Sequence, residues 1–176
     1  MHPLFHIVLV EPEIPNNTGN IGRTCVATGC SLHLVKPLGF DTGEHALRRA
    51  GLDYWRRLAP IEHDRWADWV RYRDALPADS SPRPRASWVL STKAARPFWN
   101  ADLRPGDALI FGKETAGLPD AMIEEAGDRA ICLPMLQGER SLNLATAVCA
   151  VVMEGVRQCV SRGEIALDAL GRFRID

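Results

Sequence analysis

The chain has 176 residues, enough for one domain with a sizeable core. Its 46% hydrophobic and 24% charged residues match an ordinary globular fold and exclude a disordered or fibrous chain. A net charge of −1 gives no global attraction to nucleic acid, so any RNA-binding surface must be local or assembled across subunits.

The cysteines and histidines are equally restrictive. Cys25, Cys30, Cys132, Cys149 and Cys159 form no CxxC pair and sit mostly in apolar contexts, which reads as reduced thiols of a cytosolic protein. The five histidines make no HExxH and no Cys/His cluster, so no metal is expected. No basic segment followed by an apolar stretch opens the chain, which argues against a signal peptide. The apolar run at 142–152 is too short to cross a bilayer and contains Asn143 and Thr146. A cytoplasmic location without a membrane role is expected.

In chain order, residues 5–10 (FHIVLV) read as a strand covered on both faces. Pro12 and Pro15 break it and stiffen its exit. A helix is expected over about 18–28, with Ile21, Cys25 and Thr28 on one stripe and Gly29 as its stop. Arg23 faces away from that stripe. Residues 31–36 (SLHLVK) form a second strand, and a short helix is expected near 44–50. Residues 52–58 read as a short strand or a loop. Arg48, Arg49, Arg56 and Arg57 make this the most basic stretch. Two readings are open: a solvated charged face, or a phosphate-contacting patch with Tyr54 and Trp55 offered for base stacking.

A helix over 63–75 places Trp66 and Trp69 on one side, a pattern of core or interface packing. The Pro/Ser-rich stretch at 78–86 reads as an exposed loop. Strands follow at 88–92 (WVLST), 107–111 (DALIF) and 130–133, with a helix over about 119–126 opened by Pro119. A long apolar helix runs from Ser141 to about Arg162; its local pattern is a core helix with a Ser N-cap. The domain spans 1–162. The tail at 163–176 is weakly patterned, and Ile165, Leu167, Leu170 and Phe173 could dock on the body.

Strands alternating with helices indicate an α/β fold with a mostly parallel sheet and helices on both faces. No GxGxxG follows the first strand, which disfavours a dinucleotide dehydrogenase. The glycine-bearing loops come late in the chain. Ligands bind beyond the carboxyl ends of parallel strands. The site is therefore expected where the end of 88–92, the loop 112–117 and the loop 134–141 meet.

Three segments in this order resemble the motifs of SpoU-type RNA ribose 2′-O-methyltransferases of the SPOUT class. They are Asn17-Thr18-Gly19-Asn20-Ile21-Gly22-Arg23, then Phe111-Gly112-Lys113-Glu114-Thr115-Ala116-Gly117-Leu118-Pro119, then Leu133-Pro134-Met135 with Ser141-Leu142-Asn143-Leu144. Two further segments, at 10–15 (VEPEIP) and 47–54 (LRRAGLDY), are similar to the single-domain TrmL (YibK-like) branch, which methylates cytidine or uridine 34 of tRNA. The resemblance covers about residues 5–160.

It implies a C-terminal trefoil knot, a homodimer with sites near the subunit interface, and tRNA as substrate. It implies S-adenosyl-L-methionine as methyl donor, leaving S-adenosyl-L-homocysteine, with no metal. Carried over residue by residue, Leu90, Gly112, Leu133, Met135, Ser141 and Leu142 would contact the donor. Arg23, Glu114, Ser141 and Asn143 would form the catalytic set. The basic stretch gives the expected RNA-binding set, Arg48, Arg49, Tyr54 and Arg56. A free guanidinium holds its proton up to about pH 12.5. Arg23 would therefore orient the ribose hydroxyl and a phosphate, or act as base only in a strongly perturbed site. Two alternatives remain: methylation of another tRNA or rRNA position, and an RNA-binding factor without catalysis.

Overall fold

A computed structural model describes residues 3–41, 55–76 and 86–173. The helix expected near 44–50, the residues Arg48, Arg49 and Tyr54, and most of the loop at 78–86 lie outside them.

Among the described residues, seven parallel strands form one sheet: β1 (His6–Val10), β2 (Ser31–Val35), β3 (Ile61–His63), β4 (Ser87–Leu90), β5 (Arg96–Pro97), β6 (Ala108–Phe111) and β7 (Ala130–Cys132). Their spatial order is β3-β2-β1-β6-β4-β7-β5. The helices are α1 (Pro15–Thr28), α2 (Trp55–Leu58), α3 (Trp66–Ala75), α4 (Asp120–Ala126) and α5 (Leu144–Ser161).

Side-chain alternation divides the sheet into two faces. On one, Ile7, Leu9, Leu32, Leu34, Leu109 and Phe111 pack with Ile21 and Cys25 of α1 and with Val148, Val151, Val152 and Val156 of α5. On the other, Val8, Val10, Val35, Val89 and Ile110 pack with Trp69 of α3 and with Met122 and Ile123 of α4. Both faces are covered, which is why β1 reads as an unbroken apolar run.

Several expected elements shift, each for a local reason. The first helix begins at Pro15, because proline at N1 surrenders an N–H that has no helical partner anyway. Gly29 ends it in the left-handed conformation (φ 67°). The ambiguous 52–58 segment is helical over its described part, and Trp55 is buried in the core, so it offers no stacking face. β3 and β5 were not expected; three and two residues are too few to show a period, and Pro97 is tolerated at the sheet edge. The long helix starts at Leu144, and its N-cap is Asn143 rather than Ser141. At 18 residues, α5 is long and apolar enough to cross a membrane, contrary to the expectation from the shorter run, yet its valines pack against the sheet. In the tail Ile165 is buried and Phe173 packs on the core, whereas Leu167 and Leu170 stay exposed. Arg162 and Arg104 bond the Glu164 carboxylate, holding it down at about 2, and tie the tail to the body.

Under Trp69 lies an imidazole ladder. His6 Nδ1 is 3.0 Å from His33 Nε2, and His33 Nδ1 is 3.1 Å from His63 Nε2. Burial, reinforced by His6 and His63, holds His33 well below its usual value. Burial also lowers His63, opposed by Asp68. The unfolded chain therefore binds a proton near pH 6.5 that the folded chain refuses. Stability is fully present above that pH and falls as pH drops. The loss is about 1.4 kcal/mol per pH unit for His33 alone, until the folded ring itself protonates. Urea unfolding midpoints at pH 7.5, 6.0 and 5.0 should decrease steeply, and His33→Gln should flatten the trend. A midpoint independent of pH in the native protein would contradict this account.

Candidate active site

Strands β1 and β6 are adjacent, but the chain leaves them toward opposite faces of the sheet, into α1 and α4 respectively. Such a divergence opens a crevice at the carboxyl ends of the strands. The loops after β4, β6 and β7 converge there with the start of α1. They enclose a cleft of about 810 Å³, a volume suited to a nucleoside-sized ligand.

The cleft gathers most of the sequence-selected residues. Leu90, Gly112, Glu114, Leu133, Met135, Ser141, Leu142 and Asn143 all line it. Arg23 does not; it lies on the exposed face of α1. Arg56 is exposed on α2, also away from the cleft.

The loop after β6 is drawn tight. Gly117 donates to the Lys113 carbonyl at 2.8 Å and adopts φ 69°. This folds the loop back so closely that a Cβ on Gly112 would overlap the Gly117 carbonyl carbon and the Leu118 nitrogen. The same loop clasps the exit of β1. Lys113 Nζ pairs with Glu11 at 2.9 Å, and Thr115 donates through its N–H and its hydroxyl to Glu13, both at 3.0 Å.

Glu114 is the centre of a relay. Its carboxylate accepts from the Glu13 N–H at 2.9 Å, the Ile14 N–H at 3.2 Å and Asn17 Nδ2 at 2.9 Å. Asn17 Oδ1 accepts from Asn143 Nδ2 at 2.9 Å. Asn143 Oδ1 then caps α5, accepting from Ala145 and Thr146 at 2.9 and 3.2 Å. With three donors on its oxygens, Glu114 is placed to hold loops rather than to take a proton. The sequence places Asn17 in the first motif and Ile14 in the segment 10–15 but gives neither a role in the site. Asn17 joins partners 97 and 126 positions away, a separation no local pattern can show.

The walls suit S-adenosylmethionine. Leu90 and Phe111 are buried apolar surfaces for a purine. The segment 133–143 leaves most of its backbone outside any ladder, so amides and carbonyls are available at the rim. Among the described residues, no group of three or more His, Cys, Asp or Glu side chains is arranged to hold a metal ion.

The chain is similar to known proteins over most of its length. The family model described as the SpoU rRNA Methylase family matches residues 4–153. A Saccharophagus degradans protein named tRNA (cytidine(34)-2′-O)-methyltransferase is 42% identical over 156 residues, 88% of this chain and 96% of that one. A solved structure described as giving insights into the 2-OH methylation of C/U34 on tRNA has a TM-score of 0.75 at 39% identity, covering 89% and 91% of the two chains. An AdoMet-bound rRNA methyltransferase from Sinorhizobium meliloti has a TM-score of 0.72 at 26% identity, covering 89% of this chain and 58% of that one.

Proposed function

The chain belongs to the SpoU rRNA methylase family, and on that premise we propose that it methylates the ribose 2′-hydroxyl of the wobble nucleotide, cytidine or uridine 34, in tRNA. The observation that carries this reading is near full-length similarity to a tRNA cytidine-34 methyltransferase, together with three motif segments that meet in one cleft. When bound, S-adenosylmethionine supplies a methyl group activated on a sulfonium. The chain supplies position. Leu90, Leu133, Met135 and Leu142 wall the donor, and Gly112 lets the loop backbone close on it. Glu114, Asn17 and Asn143 lock the three loops at a fixed separation. Fixing two reactants in an attack geometry removes much of the entropic barrier to displacement. Ser141 lies at the mouth, exposed and within reach of a ribose.

The protein acts as a homodimer with a trefoil-knotted C-terminal segment. The knot reading is supported by the path of the chain, which passes from β7 beside the loops after β4 and β6 before entering α5. The dimer reading is supported by the displacement of Arg23 from its own cleft and by apolar side chains left exposed on Ile14, Leu142 and Met153. Arg23 of a second copy then orients the hydroxyl and its neighbouring phosphate. Arg48, Arg49, Tyr54 and Arg56 act in tRNA binding, and the work is done in the cytoplasm.

Methyl transfer from labelled S-adenosylmethionine to a tRNA transcript carrying cytidine 34, followed by mapping of the product nucleotide, tests the function. A 2′-O-methyl mark at position 34 is expected. A mark elsewhere would keep the chemistry and overturn the wobble assignment; donor binding without transfer would overturn the enzyme reading.

A further inference from the structure

Among the described residues, four charged side chains line the cleft: Lys93, Lys113, Glu114 and Arg140. Three are answered within the chain. Lys113 pairs with Glu11, Lys93 pairs with Asp120, and Glu114 accepts three N–H donors. Arg140 is the exception. It is exposed at the mouth, and its guanidinium has no carboxylate or carbonyl partner among the described residues. It stands one position before Ser141 and three before Asn143, the residue that caps α5 and bonds Asn17.

We propose that Arg140 binds a backbone phosphate of the RNA beside the ribose being methylated, a role that rests on the methyltransferase reading. A guanidinium fork matches two phosphate oxygens and keeps its charge at any working pH. The net charge of −1 offers no long-range pull, so phosphate contacts must come from local cations of this kind. The position favours the polymer over the small donor. The deep walls are apolar and buried at Leu90 and Phe111, whereas Arg140 lies at the exposed edge that RNA meets first. A phosphate held there would set the target nucleotide against Ser141 and the donor methyl.

The test compares native protein, Arg140→Gln and Arg140→Lys. Binding of the cytidine-34 tRNA transcript is measured across a salt series, and donor affinity by calorimetry. Arg140→Gln should weaken tRNA binding about tenfold, the effect of one charge-assisted contact. The slope of log K against log salt should shrink by about 0.7 to 0.9, the share of one phosphate. Donor affinity should not move, and KM for tRNA should rise. Arg140→Lys should restore the slope and part of the affinity. Unchanged tRNA affinity and slope would overturn the proposal. So would a selective loss of donor affinity, which would assign the guanidinium to the donor's carboxylate. The binding comparison does not need turnover. A native protein without transfer activity would count against the methyltransferase reading, and the salt series would still decide Arg140.

Discussion

Gly112→Ala is expected to drive methyl transfer below detection and to weaken S-adenosylmethionine binding by about a hundredfold or more, roughly 2.7 kcal/mol. The added methyl would fall on the Gly117 carbonyl carbon and the Leu118 nitrogen. Both are backbone atoms of the returning loop, so no rotamer change relieves the clash. The loop must open, and with it go the Lys113–Gly117 contact and the seat of Glu114 against Glu13, Ile14 and Asn17. Overpacking of this kind costs about 1–3 kcal/mol of stability, so the protein should still fold, with a Tm lower by several degrees. Calorimetric titration with the donor and a thermal melt separate the two effects. Donor affinity within threefold of native would show that the tight return of this loop is not what shapes the cleft.

Much of this architecture is legible in the sequence because it rests on local physics. The apolar run at β1, the Ile21–Cys25–Thr28 stripe and the Gly29 stop each encode their element within a few residues: β1 and the three stripe residues are buried, and Gly29 caps the helix. The convergence of late loops follows from parallel-sheet geometry alone. What stays hidden is long-range or very short. β3 and β5 offer too few residues for a period. The capping of α5 by Asn143 competes in sequence with Ser141 two positions earlier, and it is the Asn143 side chain that accepts from Ala145 and Thr146 while its amide donates to distant Asn17. Trp55 looks like a stacking platform beside arginines until tertiary packing buries it. The His6–His33–His63 ladder joins three strands and cannot be read from isolated histidines at scattered positions.

Arg23→Ala is expected to lower kcat by a factor of about a hundred, the effect of losing a group that holds the attacking hydroxyl in line, with donor affinity unchanged. Arg23 sits on the exposed side of α1, while Asn17 on the same helix lines the cleft. Six residues of helix separate them, a rise of about 9 Å, and the Arg23 side chain leaves from a different face. Arg23 is therefore not among the residues that line the cleft of its own chain. In the proposed dimer a second copy supplies it, and subunit mixing makes that reading measurable. Arg23→Ala protein keeps an intact cleft, and Gly112→Ala protein keeps an intact arginine. Alone, each keeps no more than about a hundredth of native activity. In a mixed dimer the arginine of one copy meets the cleft of the other, so one of its two sites is whole. With equal amounts and random exchange about half the dimers are mixed, and activity should return to about a quarter of native. If Arg23 instead served its own cleft, every site in the mixture would lack one element, and no activity would return. Exchange must be verified by mass-tagged subunits, after which a silent mixture would sink the shared-site dimer and leave Arg23 to act by folding back within its own chain.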